Sequence, residues 1–158
     1  MRSIKVMVTT AIAVTALATA VPAGAVGYDR SNPISTGCAT KGLVDETRTS
    51  KTYGAWTIRL RRSTGCNTAW ALVSRTDGKK CGASGANCAK ATLTRTKADG
   101  TKSRSTRKQV AGTTSQYSLQ FVGVAGATYV GTAATYGGKK IGDSLTLRYN
   151  SNGTWSLG

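Results

Sequence analysis

The chain of 158 residues contains no histidine, and only six acidic residues stand against 22 lysines and arginines. Histidine is the usual base for a serine or cysteine nucleophile and the commonest metal ligand, so its absence counts against both kinds of site. Asp45 and Glu46 are the only adjacent carboxylates. Neighbours on an extended chain point to opposite faces, which does not suit a shared acid–base pair. We therefore expect no enzyme activity, no catalytic residue, no metal site and no cofactor.

A membrane-spanning run is also missing, although the first 25 residues are largely apolar. Arg2 and Lys5 give a positive start, an apolar run covers residues 6–21, and Ala23-Gly24-Ala25 supplies small residues for cleavage. This pattern is typical of a secretory signal peptide at residues 1–25. The run is short and rich in alanine, so an uncleaved anchor is the less favoured alternative. We expect a secreted, extracellular protein, free or associated with the cell wall, with no stable membrane insertion.

Positive charge dominates what remains after the signal peptide. Loss of Arg2 and Lys5 takes two from the formal net charge of +16, which leaves about +14 on about 133 residues. That length is enough for one domain with one core. A charge of this size keeps a protein soluble and attracts polyanions, and it says nothing about the fold. A solvated basic surface and contact with an anionic partner outside the cell therefore both remain open.

The four cysteines lack the Cys-x-x-Cys spacing of zinc and redox sites. Their even number in an exported chain is typical of two disulfides. Three pairings can form, and we favour Cys38–Cys66 with Cys81–Cys88. The second bond closes a loop at 82–87 whose two glycines allow the chain to turn back. The first ties the N-terminal arm to the first predicted hairpin.

Strands and turns, with no amphipathic helix, follow the signal peptide. Alternating or apolar runs predict strands at 57–61, 69–73, 117–122, 128–136, 144–149 and 154–157. In one of these runs we expect Tyr117, Leu119 and Phe121 to form the apolar face. Residues 26–56 have little periodicity and are interpreted as a polar N-terminal arm, before a β domain at 57–158. We expect about seven to nine short strands in an all-β, single-domain antiparallel barrel or sandwich with two disulfides.

The segment 90–108 is the most basic part of the chain, with seven cations against Asp99 alone. Threonine-rich runs on either side of Ala98-Asp99-Gly100 predict a hairpin. It has few large apolar residues, so we expect it to be exposed or at a sheet edge, where cations also deter aggregation. That structural role and a binding role are equally supported. The candidate polyanion-binding residues are Arg95, Lys97, Lys102, Arg104, Arg107 and Lys108.

Five short elements stand in order along the first part of the mature chain: Tyr28, Asn32-Pro33, Thr36-Gly37-Cys38, Ile58-Arg59-Leu60-Arg61 and Cys66-Asn67-Thr68-Ala69-Trp70-Ala71. Together they resemble a family of small exported actinobacterial proteins, catalogued as a domain of unknown function. In that family an Asp- or Asn-Pro and TGC element precedes an LRY-type strand and a C-x-TAWA element. The resemblance covers about residues 28–74. It implies that Cys38 pairs with Cys66, and it implies no activity and no catalytic residues.

Three functions remain after these exclusions. The favoured one is a disulfide-stabilised module that binds an anionic cell-envelope or extracellular polymer, with Tyr136, Tyr149 and Trp155 available to stack on sugars or bases. The second is a protease inhibitor or antibacterial protein. Its recognised stretch would be Lys79-Lys80-Cys81 beside the small disulfide loop, which is pre-organised by its bond. The third, an enzyme that joins two distant carboxylates, is disfavoured.

Overall fold

The computed structural model of the chain describes residues 26–45 and 51–158. The predicted signal peptide at 1–25 lies outside the described residues. Within them the chain forms eleven strands and a single 3-10 turn at Val26–Tyr28, with no α-helix. The strands are β1 (Leu43–Asp45), β2 (Lys51–Tyr53), β3 (Trp56–Ser63), β4 (Thr68–Arg75), β5 (Ala89–Thr96), β6 (Lys102–Lys108), β7 (Ser115–Tyr117), β8 (Phe121–Val122), β9 (Thr128–Thr135), β10 (Lys140–Tyr149) and β11 (Trp155–Leu157). No helix in the described ranges has the length and hydropathy of a membrane span.

The strands form two antiparallel sheets that pack against each other as a sandwich. The first sheet has the order β1-β3-β4-β7, with β2 also paired to β3 and β8 to β4. The second has the order β11-β10-β9-β5-β6. No described strand is shared between the two sheets, and neither closes on itself. The expected all-β antiparallel fold is confirmed, as a sandwich rather than a barrel.

One apolar core fills the space between the sheets. Ile58 and Leu60 alternate along β3 and face inward, as their spacing predicts. From the second sheet, Leu93, Tyr129 and Leu147 meet them. Alanines at the inward positions of β4 and β5 let the two sheets approach closely. Burial of these side chains supplies the main driving force for the fold.

Two disulfides close the described part of the chain, in the favoured pairing. Cys38 bonds to Cys66, which joins the N-terminal segment to the turn between β3 and β4. Cys81 bonds to Cys88 and closes the small loop just before β5. None of the four cysteines is free. The chain thus has covalent ties both at its N-terminal segment and at the start of β5.

The N-terminal segment contributes more than the expected arm. Both β1 and β2 pair with β3, so they belong to the first sheet. The boundary expected at residue 57 therefore falls inside that sheet, whose strand β3 begins at Trp56. Strands of three residues are too short to show an alternating pattern. They form because β3 offers them a free edge.

The run at 117–122 keeps only part of its expected apolar face, of which Phe121 is buried in the core. Ser118 and Gln120 are fully buried, whereas Tyr117 and Leu119 are half-exposed. The run divides into β7 and β8, and the three residues between them leave the strand. The Ser118 hydroxyl accepts a hydrogen bond from the Ala71 backbone N–H at 3.0 Å. The Gln120 amide bonds to the hydroxyls of Ser31, Thr36 and Thr68. Both polar side chains are thus buried with hydrogen-bond partners.

Candidate anion-binding surface

The basic segment forms the predicted hairpin at the edge of the second sheet. Strands β5 and β6 are joined by a turn in which Gly100 has a φ of 83° and the Asp99 carboxylate accepts the Thr101 N–H at 2.8 Å. Strand β6 is the edge strand, as expected, and carries most of the exposed residues. Strand β5 lies between β6 and β9 and is mostly buried. In this hairpin β5 therefore belongs to the interior of the sheet, and β6 provides the exposed surface.

The strand register divides the predicted binding residues between two faces. Residues directly opposite each other in a pair of strands share a face of the sheet. Arg107 lies opposite the buried Ala91, so it is on the core side of the edge strand, where it is half-exposed. Lys102, Arg104 and Lys108 lie on the other side of β6 and are exposed. These three cations follow one another along β6, on its outward-facing side.

Arg95 serves the fold rather than the surface. It is 6% exposed, and its guanidinium makes two hydrogen bonds to the Asp29 carboxylate, at 2.8 and 3.2 Å. The same guanidinium lies 4.8 Å from the centre of the Phe121 ring. Arg95 is therefore not part of the candidate anion-binding surface, because its charge is neutralised inside the protein. Lys97 lies in the turn between the two strands, half-exposed, at one end of the hairpin.

Three cations missed in the sequence lie on the same outer face. Lys140 of β10 is opposite Ala134 of β9, which is opposite Lys90 of β5, so Lys90 and Lys140 share a row with Lys108. Arg148 shares a row with Lys102 in the same way. The strand order alone brings Lys140 and Arg148 to the hairpin. We call the outer side of the second sheet the basic face, whose cations are Lys90, Lys102, Arg104, Lys108, Lys140 and Arg148.

Threonine hydroxyls form the floor between these cations. Val130 and Ala134 of β9 also face outward. Seven threonines occupy outward positions on β5, β6, β9 and β10: Thr92, Thr94, Thr96, Thr106, Thr128, Thr132 and Thr146. Two of them, Thr92 and Thr106, are hydrogen-bonded to each other at 2.9 Å. A hydroxyl can donate to an anion or accept from a sugar hydroxyl. Among the described residues that the strand register pairs, no acid and no aromatic side chain occupies an outward position of this face.

The three aromatic residues expected to stack on a ligand are engaged within the protein. The Trp155 ring lies 4.8 Å from Tyr129 and 4.9 Å from Tyr149, and its Nε1 donates to Asn67 at 3.2 Å. Tyr149 itself is 8% exposed. The Tyr136 hydroxyl donates to the backbone carbonyl of the residue after β6. Trp155 and Tyr149 thus form the rim of the core, whereas the Tyr136 ring lies 5.8 Å from Nζ of Lys108.

Comparison with known proteins yields a family but no described activity. No curated protein and no solved structure matches the chain. A family model with the description "Protein of unknown function (DUF2690)" matches residues 26–130. The match includes both disulfides and the β5–β6 hairpin, and it ends before Lys140 and Arg148.

Proposed function

The chain belongs to DUF2690, a family of unknown function, and on the chemistry of its surface we propose that it is an exported β-sandwich that binds an anionic polymer of the cell envelope or extracellular matrix. The observation that carries this proposal is the convergence of six cations from three strands of the second sheet, β5, β6 and β10, on one face. The proposal includes secretion, and it assigns the protein no enzymatic activity.

The distribution of acids supports a binding role over simple solubility. A surface that only keeps a protein soluble mixes both signs of charge, whereas a single-sign field attracts a charged partner. Asp29 pairs with Arg95 and Asp77 pairs with Arg75, so arginines outside the basic face neutralise these two acids. Asp99 lies in the turn of the β5–β6 hairpin, where it accepts the Thr101 N–H, and Asp143 accepts a hydrogen bond from the Tyr53 hydroxyl. None of these four acids is paired with a cation of the basic face in the ion pairs and hydrogen bonds of the described residues.

The dimensions of the basic face suit several anionic groups of one polymer. Lys102 and Lys108 are six residues apart on β6, which separates their Cα atoms by about 20 Å. Lys108 and Lys140 are three strands apart, or about 14 Å. Lysine binds a phosphate or sulfate as a point charge and arginine binds it through paired donors. Such contacts depend on salt and select for charge density rather than for a monomer sequence.

The test is a charge reversal on the basic face. We expect the variant Lys102→Glu/Arg104→Glu/Lys108→Glu to leave heparin and purified cell walls at much lower salt than the wild type, because three ion contacts become repulsive. Its unfolding midpoint should stay close to that of the wild type, since all three side chains are exposed on an edge strand. Retention across a salt gradient measures the first effect, and thermal denaturation measures the second.

A matched control distinguishes binding by the basic face from binding that depends only on the net charge of the protein. Lys41, Lys79 and Lys80 are exposed in loops, and their joint change to Glu alters the net charge equally. We expect this control to be retained almost as well as the wild type. Equal weakening in both triple variants would assign binding to net charge alone. Wild-type release that does not respond to salt would refute the electrostatic contact.

The inhibitor alternative has less structural support. The loop at 82–87 is folded back on itself, with the Gly82 N–H donating to Ala86 and the Gly85 N–H donating to Gly82. A protease cleft requires an extended segment, because the bound chain pairs with the enzyme as a strand does. Lys79 and Lys80 are exposed before this loop, but they precede the disulfide rather than lying within it.

A further inference from the structure

A cleft of about 250 Å³ opens beside the basic face, where the first sheet meets the start of β10. Two aromatic rings, those of Tyr53 and Trp56, line it from the first sheet. Lys139, Lys140 and the hydroxyl-bearing Thr135 line it from the second. Lys140 also belongs to the basic face, so the cleft and the face are continuous. A pocket with apolar walls and a few polar groups is the usual form of a small-ligand site.

The Tyr53 ring is held in one position in this cleft. It lies against the backbone of Gly142, in the space that a β-carbon there would occupy. Gly142 has a φ of 60° and lies at the register shift of β10. The Tyr53 hydroxyl donates to the Asp143 carboxylate at 3.0 Å. The glycine thus permits the close approach of the ring, and the carboxylate fixes its orientation.

The Trp56 ring is held by a second chain of contacts. The Arg75 guanidinium lies 4.7 Å from the ring centre, and Arg75 Nε donates to Asp77 at 2.7 Å. The hydrogen bond from Arg75 lowers the pKa of Asp77 to about 2. The carboxylate therefore stays ionised at any pH near neutrality and holds Arg75 against the indole. Rings restrained before a ligand arrives lose little entropy on binding.

We propose that this cleft is the sugar-binding subsite of the basic face and that the polymer is an anionic glycan. The inference rests on the proposed function. The apolar C–H face of a sugar ring packs against Tyr53 and Trp56, while its acidic substituent lies between Lys139 and Lys140. Thr135 offers a hydroxyl to the rim of the sugar. The rest of the glycan continues from Lys140 over the threonine floor.

The arrangement favours a glycan over a single-stranded nucleic acid. Proteins that bind single strands place aromatic rings along a basic groove and stack successive bases on them. The paired outward positions of the basic face hold threonines, cations, Val130, Ala134 and Ser156, with no ring. Ring contact is offered at the cleft, at one end of the face. Hydroxyl groups along the floor suit a partner that itself carries hydroxyl groups.

The experiment compares three probes by titration calorimetry. A heparin tetrasaccharide carries charge and sugar rings, inorganic polyphosphate carries charge alone, and oligothymidylate carries charge and bases. We expect Trp56→Leu to weaken the tetrasaccharide about tenfold, the effect of losing one ring contact. Polyphosphate affinity should stay within about twofold. Lys139→Ala changes an exposed residue, so it folds even where Trp56→Leu does not, and it should weaken the tetrasaccharide more than the matched Lys41→Ala does.

The possible outcomes test the sugar subsite in the cleft and the anion-binding role of the basic face separately. Equal losses for tetrasaccharide and polyphosphate in Trp56→Leu, or wild-type tetrasaccharide affinity in both cleft variants, would overturn the sugar subsite. If Trp56→Leu weakened the binding of oligothymidylate alone, the sugar subsite would also be overturned, and the cleft would be assigned to nucleic-acid bases. A wild type that binds none of the probes overturns the proposed function and the subsite together. Tetrasaccharide binding that needs Trp56 but ignores charge reversal at Lys102, Arg104 and Lys108 overturns the proposed function alone.

Discussion

The Asp29–Arg95 ion pair joins the N-terminal segment to the second sheet. The Arg95 side chain is 7% exposed and that of Asp29 is 31% exposed, so the guanidinium is the more deeply buried partner. Asp29 also accepts the Val122 backbone N–H at 3.1 Å. A buried charge that loses its partner costs far more than an exposed one, because it stays out of water without compensation. The pair therefore supports the fold mainly by keeping Arg95 neutralised.

Removal of Asp29 should be more damaging than removal of Arg95. We expect Asp29→Ala to lower the free energy of unfolding by about 3 kcal/mol, and Arg95→Met, which deletes the buried charge, to lower it by less. The double variant should cost less than the two single changes together, since it leaves no unpaired guanidinium. Urea denaturation measures all three without adding salt. Additive costs would mean that the two side chains do not depend on each other.

The β5–β6 hairpin shows what a single element reveals before its neighbours are known. Threonine-rich runs and the Asp99-Gly100 turn place both strands and the edge position. Alternation also separates Arg107 from Lys102 and Arg104, but it does not say which side faces the core, since β6 has no large apolar residue to decide. Pairing with β5 makes that choice. The same pairing turns Arg95 inward, beside an acid 66 residues away in the sequence.

The disulfides are elements with different consequences for stability. Cys38 and Cys66 are 28 residues apart, and Cys81 and Cys88 are seven apart. Loop-closure entropy gives about 3.6 kcal/mol for the longer loop and about 2.5 kcal/mol for the shorter. We expect the Cys38→Ala/Cys66→Ala variant to unfold at lower urea than the Cys81→Ala/Cys88→Ala variant. Equal midpoints, or the reverse order, would show that native packing around the small loop outweighs chain entropy.

At the scale of the whole molecule, local sequence patterns are enough to predict the fold class. They are not enough to predict the candidate site, which depends on the order of strands in the sheet. Short alternating runs with glycine turns suffice for an all-β domain with two disulfides. The choice of a sandwich over a barrel depends on which edges stay unpaired, and no segment encodes that alone. The basic face has the same origin. Lys140 and Arg148 share a face with Lys108 and Lys102 because β10 pairs with β9 and β9 pairs with β5, an order set by the packing of both sheets around one core.

The charge of the whole molecule leads to a prediction about its thermal stability. With 22 basic and six acidic residues, the positive charges of the folded state repel one another, so sodium chloride should raise the melting temperature modestly through screening.

Polyphosphate at low salt should stabilise the folded protein further by mass action, by about 2.7 kcal/mol at a hundred times its Kd. Differential scanning calorimetry measures both. The polyphosphate increment should shrink as sodium chloride is added, because salt weakens the contact with the basic face. It should vanish in Lys102→Glu/Arg104→Glu/Lys108→Glu, and an increment equal to that of the wild type would mean that polyphosphate binds elsewhere.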